Sequence, residues 1–363
     1  MSPPEIDETF ARRWSRRAIT IPVYLCLGVL SLAFLPVSVL LALGVDAARR
    51  TGHLATVRCI LGLTLYVVCE AVGLVACLLV WIASGVWAGS SHERFVSWNL
   101  ALRRVWARAL FSGATRLFRM RVEVSGNEAI GQGPLFLLSR HASILDTLLP
   151  AVFVTHHHNL ELRYVMKRQL LWDPCLDIVG QRTRNAFVRR ASDDPDKEIA
   201  IVRRLAADLG KGEGVLMFPE GTRFSAANRT RVLARMASSA QTGRLERAES
   251  LRHVLPPRLG GALALLETRP DVDVVFLAHV GFEGATRLND IWTGKLVGRT
   301  VFIHFWRVSS AAIPRNRDGR IEWLDTQWAR IDGWIDACCS QGGGSGVRQM
   351  RSHSMPAATL PSA

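Results

Sequence analysis

The sequence predicts an α/β domain carried behind a hairpin of two membrane-length apolar helices. Two observations predict it: a pair of long apolar runs near the start, and short β-like runs alternating with helical ones from residue 121 onward. Ala18–Val45 is 28 residues without a charged side chain, and Cys59–Ser91 is 33 residues interrupted only by Glu70. About 20 apolar residues suffice to cross a bilayer, so both runs are long enough. A signal peptide is the competing reading of the first run, but that run is too long, lacks a small-residue cleavage pattern and is followed by a second apolar run.

Charge gives the hairpin an orientation. Arg12, Arg13, Arg16 and Arg17 precede the first run and Arg94, Arg103, Arg104 and Arg108 follow the second, against Arg49, Arg50 and Arg58 between them. By the positive-inside rule both ends face the cytoplasm. The expected organisation is a cytoplasmic segment over 1–17, a two-helix membrane anchor over 18–91, the α/β domain over 92–339 and a disordered Gly/Ser/Pro-rich tail over 340–363. Glu70 is costly if charged and facing lipid, which points to a protonated carboxyl, an interfacial position or a functional role.

Between residues 94 and 120, apolar Phe95, Trp98, Leu102, Val105, Trp106, Ala109, Leu110, Leu117 and Phe118 recur at mostly three- and four-residue spacing among six arginines. That pattern suits an amphipathic helix lying at the membrane interface, or alternatively an ordinary helix packed on the domain. The strands expected after it are Arg121–Val124, Leu135–Leu138, Leu162–Val165, Val215–Phe218, Val274–Ala278 and Val301–Phe305. The helices expected between and after them include Ser143–Val154, Asp196–Leu209, Arg229–Ser239, Leu259–Glu267 and Trp323–Cys338.

Composition narrows the class of partner. The net charge is +14, and with lysine only at 167, 197, 211 and 295, the other 41 of 45 basic residues are arginine. An anionic membrane face, a phosphate-bearing substrate and nucleic acid all suit that balance, but no nucleic-acid recognition motif is present. The seven cysteines show no C-x-x-C pair and no zinc spacing, which implies a thiol-reducing compartment and no structural metal. His156-His157-His158 has no second ligand group spaced to join it on an ion, and Gly210-Lys211-Gly212 lacks the ending of a P-loop.

Two segments can carry chemistry. Ser139-Arg140-His141-Ala142-Ser143-Ile144-Leu145-Asp146 follows a strand and opens a helix. A separation of five residues is about 500° around a helix, so His141 and Asp146 meet only if His141 sits in the loop before it. A histidine held by a carboxylate is a prepared general base for an alcohol attacking a thioester; Ser143-x-x-Asp146 as a capping box with His141 a bystander is the plainer alternative. The second segment, Met217-Phe218-Pro219-Glu220-Gly221-Thr222-Arg223-Phe224-Ser225, is a strand that stops in a turn. There glycine permits close backbone approach, and Arg223 offers a planar fork suited to phosphate oxygens.

Together these segments resemble the H-x4-D and F-P-E-G-T-R motifs of the glycerophospholipid acyltransferase family. Ala186-Phe187-Val188-Arg189-Arg190 looks like the family's third block, and His253-Val254-Leu255-Pro256-Pro257-Arg258 resembles its fourth. The combination of E-G-T-R-F-S with L-x-P-R is most similar to the lysophosphatidate and lysocardiolipin acyltransferase subgroup, and the resemblance covers roughly residues 95 to 338.

The resemblance implies a mixed central sheet, His141 as base and Asp146 as its orienting partner. It implies that Arg190, rather than Arg189, joins Glu220, Gly221, Thr222 and Arg223 around the glycerol-phosphate of a lysophospholipid, with Pro257 shaping the acyl-donor side. It further implies acyl-CoA or acyl-carrier protein as co-substrate without another cofactor, and 1-acyl-sn-glycerol-3-phosphate as the default acceptor. Lysocardiolipin, lysophosphatidylinositol or a lyso-aminolipid are the alternative acceptors, and a non-catalytic membrane lipid-binding protein is the reading from another class. Two departures stand out: Arg140 replaces the usual Asn or Ser before the histidine, and residues 226–252 form an arginine-rich insertion.

Overall fold

The structure, a computed structural model, describes residues 8–50, 52–89, 92–189, 194–238, 242–283 and 288–340. Seven strands form one sheet: β1 (Arg121–Ser125), β2 (Leu135–Ser139), β3 (Glu161–Lys167), β4 (Ala186–Val188), β5 (Glu213–Met217), β6 (Asp273–Val280) and β7 (Thr300–Val308). Their spatial order is β1-β7-β6-β2-β5-β3-β4. All neighbours are parallel except β6 and β7, so the sheet is mixed.

Both faces of the sheet are covered, and β2 shows why its sequence is an unbroken apolar run. Side chains alternate across a strand. Phe136 and Leu138 therefore pack with Val202, Leu265 and Trp328 on one face. Leu135 and Leu137 pack with Leu149, Val154 and Phe305 on the other. A strand buried on both sides has no polar face to show, and each such side chain contributes about 1.5–3 kcal/mol. The first face is covered by α6 (Pro195–Ala207), α9 (Leu259–Thr268) and α11 (Arg317–Ser340); the second by α4 (His92–Leu117) and residues 145–156.

All six expected strands are present, each within three residues of its expected bounds; α6 and α9 lie within two residues of theirs, and α11 contains the expected Trp323–Cys338 but begins six residues earlier. The edge strand β4, only three residues long, was not among the expected strands. Neither were three short helices, α5 (Pro174–Arg182), α8 (Thr242–Ser250) and α10 (Leu288–Trp292), among the expected helices. The arginine-rich insertion folds as α7 (Ala226–Ala237) followed by α8. One expectation is corrected: Ser143–Val154 is not an α-helix but a 3-10 turn over Leu145–Leu148 followed by a π-helical stretch over Pro150–His156. Pro150 has no N–H to give an α-helical ladder and its ring crowds the carbonyl four residues back.

The apolar N-terminal region makes three helices, α1 (Phe10–Ala33), α2 (Leu35–Ala48) and α3 (Ala55–Ser84). The first run divides at Phe34 because Pro36 lacks an N–H and its ring crowds the carbonyl four residues back. Asp46 closes the hairpin, its two carboxylate oxygens accepting from the N–H groups of Thr56 and Val57 at 3.0 and 3.1 Å, which satisfies the first turn of α3. Phe10–Ala33 and Ala55–Ala88 are each long and apolar enough to cross a membrane.

These helices are docked on the domain along one side. Arg16 and Arg17 pair with the buried Asp177 of α5 at 2.8 and 2.7 Å, and Arg58 donates to the Leu117 carbonyl. Glycines let the helices approach: a Cβ on Gly28 would meet Ala71, and one on Gly73 would meet the Cys175 sulfur. Glu70 faces neither lipid nor the bulk. It is buried between α3, α4 and α5, where it accepts from Trp106 Nε1 at 3.1 Å and from the Cys175 backbone N–H at the start of α5 at 3.3 Å. Part of the apolar stripe of α4 packs on protein, with Trp106 beside Gly73 and Phe111 edge-on to Phe153 at 5.6 Å, while Trp98 and Val105 stay exposed. The three helices leave Leu30, Leu40, Leu41, Val72, Leu79 and Ile82 exposed.

Candidate active site

Three parallel neighbours, β6, β2 and β5, end at the same edge of the sheet. The register pairs Ser139 with Leu277 and Leu138 with Met217. Continuing two residues past the first pair sets His141 level with His279, and three past the second sets it level with Glu220. Loops at the carboxyl ends of parallel strands are the usual ligand crevice of an α/β sheet, because the chain there must leave the ladder.

His141 sits in the loop directly after β2, as its spacing from Asp146 requires. Its Nδ1 lies 3.0 Å from Asp146 Oδ1. Asp146 is fully buried, and its other oxygen accepts from the N–H groups of Ala142 at 2.6 Å and Ser143 at 2.7 Å. Burial works to raise this carboxyl, but the neighbouring His141 and His279, through charge and hydrogen bonds, outweigh it and hold Asp146 below the ordinary aspartate value of 3.8. An ionised acceptor at Nδ1 keeps the proton on that nitrogen, so the Nε2 lone pair faces outward. Among the described residues nothing engages Nε2, and the ring leans on Phe218 with centroids 4.7 Å apart.

Glu220 is 1% exposed, and its carboxylate is engaged with backbone. Oε1 accepts from the His141 N–H at 2.7 Å and Oε2 from the Leu255 N–H at 2.9 Å. Burial pushes its carboxyl up to about 8, against the restraining effect of these two bonds and of the Arg140 charge. Its side chain thus ties the loop after β2, the turn after β5 and the segment before α9 into one unit. The His141 carbonyl completes the tie by accepting from the Phe224 N–H at 2.8 Å.

The rest of the turn is held the same way. Gly221 has φ +68, the left-handed region open to glycine, and its N–H closes the turn on the Phe218 carbonyl at 2.9 Å. Asn228 of α7 donates to the Arg223 carbonyl at 2.9 Å and to Thr222 Oγ1 at 3.4 Å. Pro257 is buried, its carbonyl accepting from Arg244 at 2.6 Å, and Arg244 also grips Asp325. The structure therefore gathers His141, Asp146, Glu220, Gly221, Thr222 and Arg223 around one edge and sets Pro257 one residue before Arg258, which bonds the same turn. Arg190 lies outside the described residues.

Two contributors were not singled out as site residues in the sequence. His279 is fully buried, with Nε2 at 3.3 Å from Asp146 Oδ2 and 3.2 Å from the Arg140 carbonyl. Both partners are acceptors, so Nε2 carries the proton, and His279 becomes another donor on the orienting carboxylate. Arg140 points away from the crevice, buried, donating to the His279 carbonyl at 2.5 Å, the His253 carbonyl at 2.9 Å and Glu283 Oε1 at 2.8 Å. These three bonds brace the backbone on either side of His141 from behind. A histidine closing an otherwise apolar strand, Ala278-His279-Val280, was the available signal, and alone it does not separate a site residue from a core one. Among the described residues no group of three or more His, Cys, Asp or Glu is arranged to hold a metal ion.

The sequence model of the Acyltransferase family matches residues 121–275. The 1-acyl-sn-glycerol-3-phosphate acyltransferase epsilon of Mus musculus is 26% identical over 201 residues, 52% of this chain and 53% of that protein. The 1-acyl-sn-glycerol-3-phosphate acyltransferase of Pseudomonas aeruginosa is 28% identical over 175 residues, 47% of this chain and 62% of that one. The chain thus spans between half and two thirds of the length of these curated relatives. Among solved structures, the crystal structure of the 1-acyl-sn-glycerophosphate (LPA) acyltransferase PlsC from Thermotoga maritima matches with a TM-score of 0.44 and 16% identity, covering 74% of this chain and 99% of that one.

Proposed function

We propose that this chain, whose residues 121–275 match the Acyltransferase family model, is a membrane-bound O-acyltransferase. It moves a fatty acyl group from acyl-CoA or acyl-carrier protein to the free hydroxyl of a lysophospholipid, with 1-acyl-sn-glycerol-3-phosphate as acceptor and phosphatidic acid as product. The observation that carries this reading is the His141–Asp146 pair at 3.0 Å with Nε2 turned outward. The names of the curated relatives support the choice of acceptor.

In this reaction His141 Nε2 takes the proton from the acceptor hydroxyl as its oxygen attacks the thioester carbonyl carbon. Asp146 steadies the imidazolium through Nδ1. The tetrahedral intermediate collapses with breakage of the carbon–sulfur bond, and the departing thiolate recovers the proton from Nε2, so the base is regenerated. Glu220 acts at one remove, fixing the backbone of His141, and Arg223 receives the acceptor's phosphate. The phosphate of lysophosphatidate sits on the carbon next to the free hydroxyl, so it must bind close to the base.

Arg223→Lys tests that assignment. Lysine keeps the charge but loses the planar fork that holds two phosphate oxygens at once. Each charge-assisted bond lost at a desolvated site costs on the order of 1.5–3 kcal/mol, so acceptor kcat/KM is expected to fall at least about tenfold while donor KM stays nearly constant. Initial rates of CoA release, with each substrate varied separately, check it. Equal losses for donor and acceptor together with a lower melting temperature would retire the phosphate role.

The exposed apolar side of α1, α2 and α3 is assigned to lipid, with the catalytic domain and both termini on the cytoplasmic face. Arginine is denser outside the hairpin than between its arms. A reporter active only in the cytoplasm should work when fused at Pro3 and at Ala363. Opposite behaviour at the two ends would remove the hairpin topology.

A further inference from the structure

We propose that His279 is a positioning residue for acyl transfer that acts through Asp146: reaching across from β6, its imidazole N–H fixes the carboxylate in the rotation that leaves Oδ1 for His141. The proposal rests on the acyl-transfer reading and extends it to a side chain that reading does not use.

The His141–Asp146 pair lies in a loop that does not fix its own place on the sheet. Residues 140–143 leave the β2 ladder without entering another regular element, and Asp146 sits in the short 3-10 turn that follows. Ala142 and Ser143 give their N–H groups to Asp146 Oδ2, but both belong to the same loop, so these bonds hold the carboxylate only relative to the loop itself. The ties from outside come from the two strands that flank β2. On the β5 side, Glu220 and Phe224 hold the His141 backbone at 2.7 and 2.8 Å. On the β6 side, His279 Nε2 lies 3.3 Å from Asp146 Oδ2, and among the described residues no other side chain from outside the loop bonds Asp146. The base is anchored to one neighbouring strand and its carboxylate to the other, so the 3.0 Å between Nδ1 and Oδ1 is set from both sides.

His279 is a rigid anchor. It lies within β6, paired with Ile303 of β7, is fully buried, and its carbonyl accepts from Arg140 at 2.5 Å. The ring packs edge-on to Phe282 with centroids 5.7 Å apart, and among the described residues its Nδ1 has no hydrogen-bond partner. A buried polar atom without a partner is costly, so an imidazole in this apolar strand is explained by its other nitrogen. Nε2 shares its proton between Asp146 Oδ2 and the Arg140 carbonyl at 3.2 Å, and both acceptors belong to the loop that carries the base.

The consequence is rotational. A carboxylate turns about its Cβ–Cγ bond, and three donors on Oδ2 leave Oδ1 facing His141 Nδ1, which keeps the proton there and the Nε2 lone pair toward the acceptor hydroxyl. Without the donor from β6 only the loop's own bonds remain, and a displacement of about 1 Å in a reacting group can cost about 10²-fold in rate.

The test compares His279→Gln with His279→Asn in the full chain, in detergent or native membranes. A glutamine amide nitrogen reaches the place of imidazole Nε2, whereas that of asparagine, one methylene shorter, stops near Nδ1 and cannot reach Asp146. With CoA release as readout and each substrate varied separately, His279→Asn should lower kcat by about 10–100-fold with donor and acceptor KM each within about twofold, and His279→Gln should stay within about fivefold of wild type. In a His141→Ala background His279→Asn should cost nothing further, because it acts through the missing base. A second readout needs no substrate. Diethyl pyrocarbonate acylates an outward imidazole lone pair, and its rate at His141, read by mass spectrometry, should fall at least about threefold in His279→Asn but not in His279→Gln. Equal turnover in the two variants, a rise in KM in place of the fall in kcat, or a further loss in the His141→Ala background overturns the proposal. Should His279→Asn fail to fold, His279→Gln decides alone, a loss beyond about tenfold at a wild-type melting temperature overturning it. Failure of the wild-type protein to turn over lysophosphatidate would instead count against the acyl-transfer reading, and the rates of His141 acylation would still decide on His279.

Discussion

His141→Ala should lower kcat/KM for acyl transfer by about 10²–10⁴, the usual worth of a positioned general base, while the protein remains folded and membrane-bound. Among the described residues neither of the two histidines near this loop can stand in. His279 donates its Nε2 proton to the Asp146 carboxylate and the Arg140 carbonyl from a fully buried position, and His253 faces Asp336 at 3.1 Å. The fold should tolerate the change because the structural ties of position 141 are made by its backbone, the N–H to Glu220 and the carbonyl to Phe224. What is lost is one ring contact with Phe218 and one hydrogen bond to Asp146. CoA release from acyl-CoA and lysophosphatidate, measured beside the melting temperature, separates the outcomes. Turnover close to wild type would eliminate His141 as the base.

The central sheet was legible because its strands are short, apolar and bounded by turns. Leu135-Phe136-Leu137-Leu138 reads as a doubly buried strand from composition alone, and the structure fills both its faces. Strand order was not legible in the same way. Nothing in the spacing of residues 135–139 and 273–280 says that Ser139 pairs with Leu277, and it is that register which brings His279 to Asp146. The helix expected at Ser143 failed for a local reason: Pro150 removes a backbone donor and its ring crowds the carbonyl four residues back, inside the expected span. Glu220 illustrates the limit of a motif. Its place beside Gly221 and Arg223 suggests contact with substrate, yet the geometry spends both its oxygens on the backbone of two other segments. Glu70 is the reverse case: an acid in an apolar run suggests a membrane cost, and docking on α4 and α5 supplies N–H donors that composition does not show.

Asp146→Asn should be nearly as damaging as loss of the base, and for a reason specific to this loop. The native carboxylate receives four N–H groups: His141 Nδ1 on Oδ1, and Ala142, Ser143 and His279 Nε2 on Oδ2. An asparagine has one oxygen and one NH2. If the oxygen replaces Oδ1, the NH2 faces three buried donors, each left without an acceptor at about 1–3 kcal/mol. The favoured orientation puts the oxygen on those three donors and turns the NH2 toward His141. Nδ1 must then accept, the ring proton moves to Nε2, and the nitrogen that should take the acceptor's proton already carries one. Turnover is expected to fall by about 10²–10⁴, with a modest drop in melting temperature from the donors that remain imperfectly matched. Because Asp146 acts through His141, the double variant His141→Ala with Asp146→Asn should be no slower than His141→Ala alone. Independent, multiplying losses in the double variant would show that Asp146 contributes something other than the tautomer of His141. Retention of turnover within about threefold in Asp146→Asn would show that the imidazole is oriented by the loop itself rather than by this carboxylate.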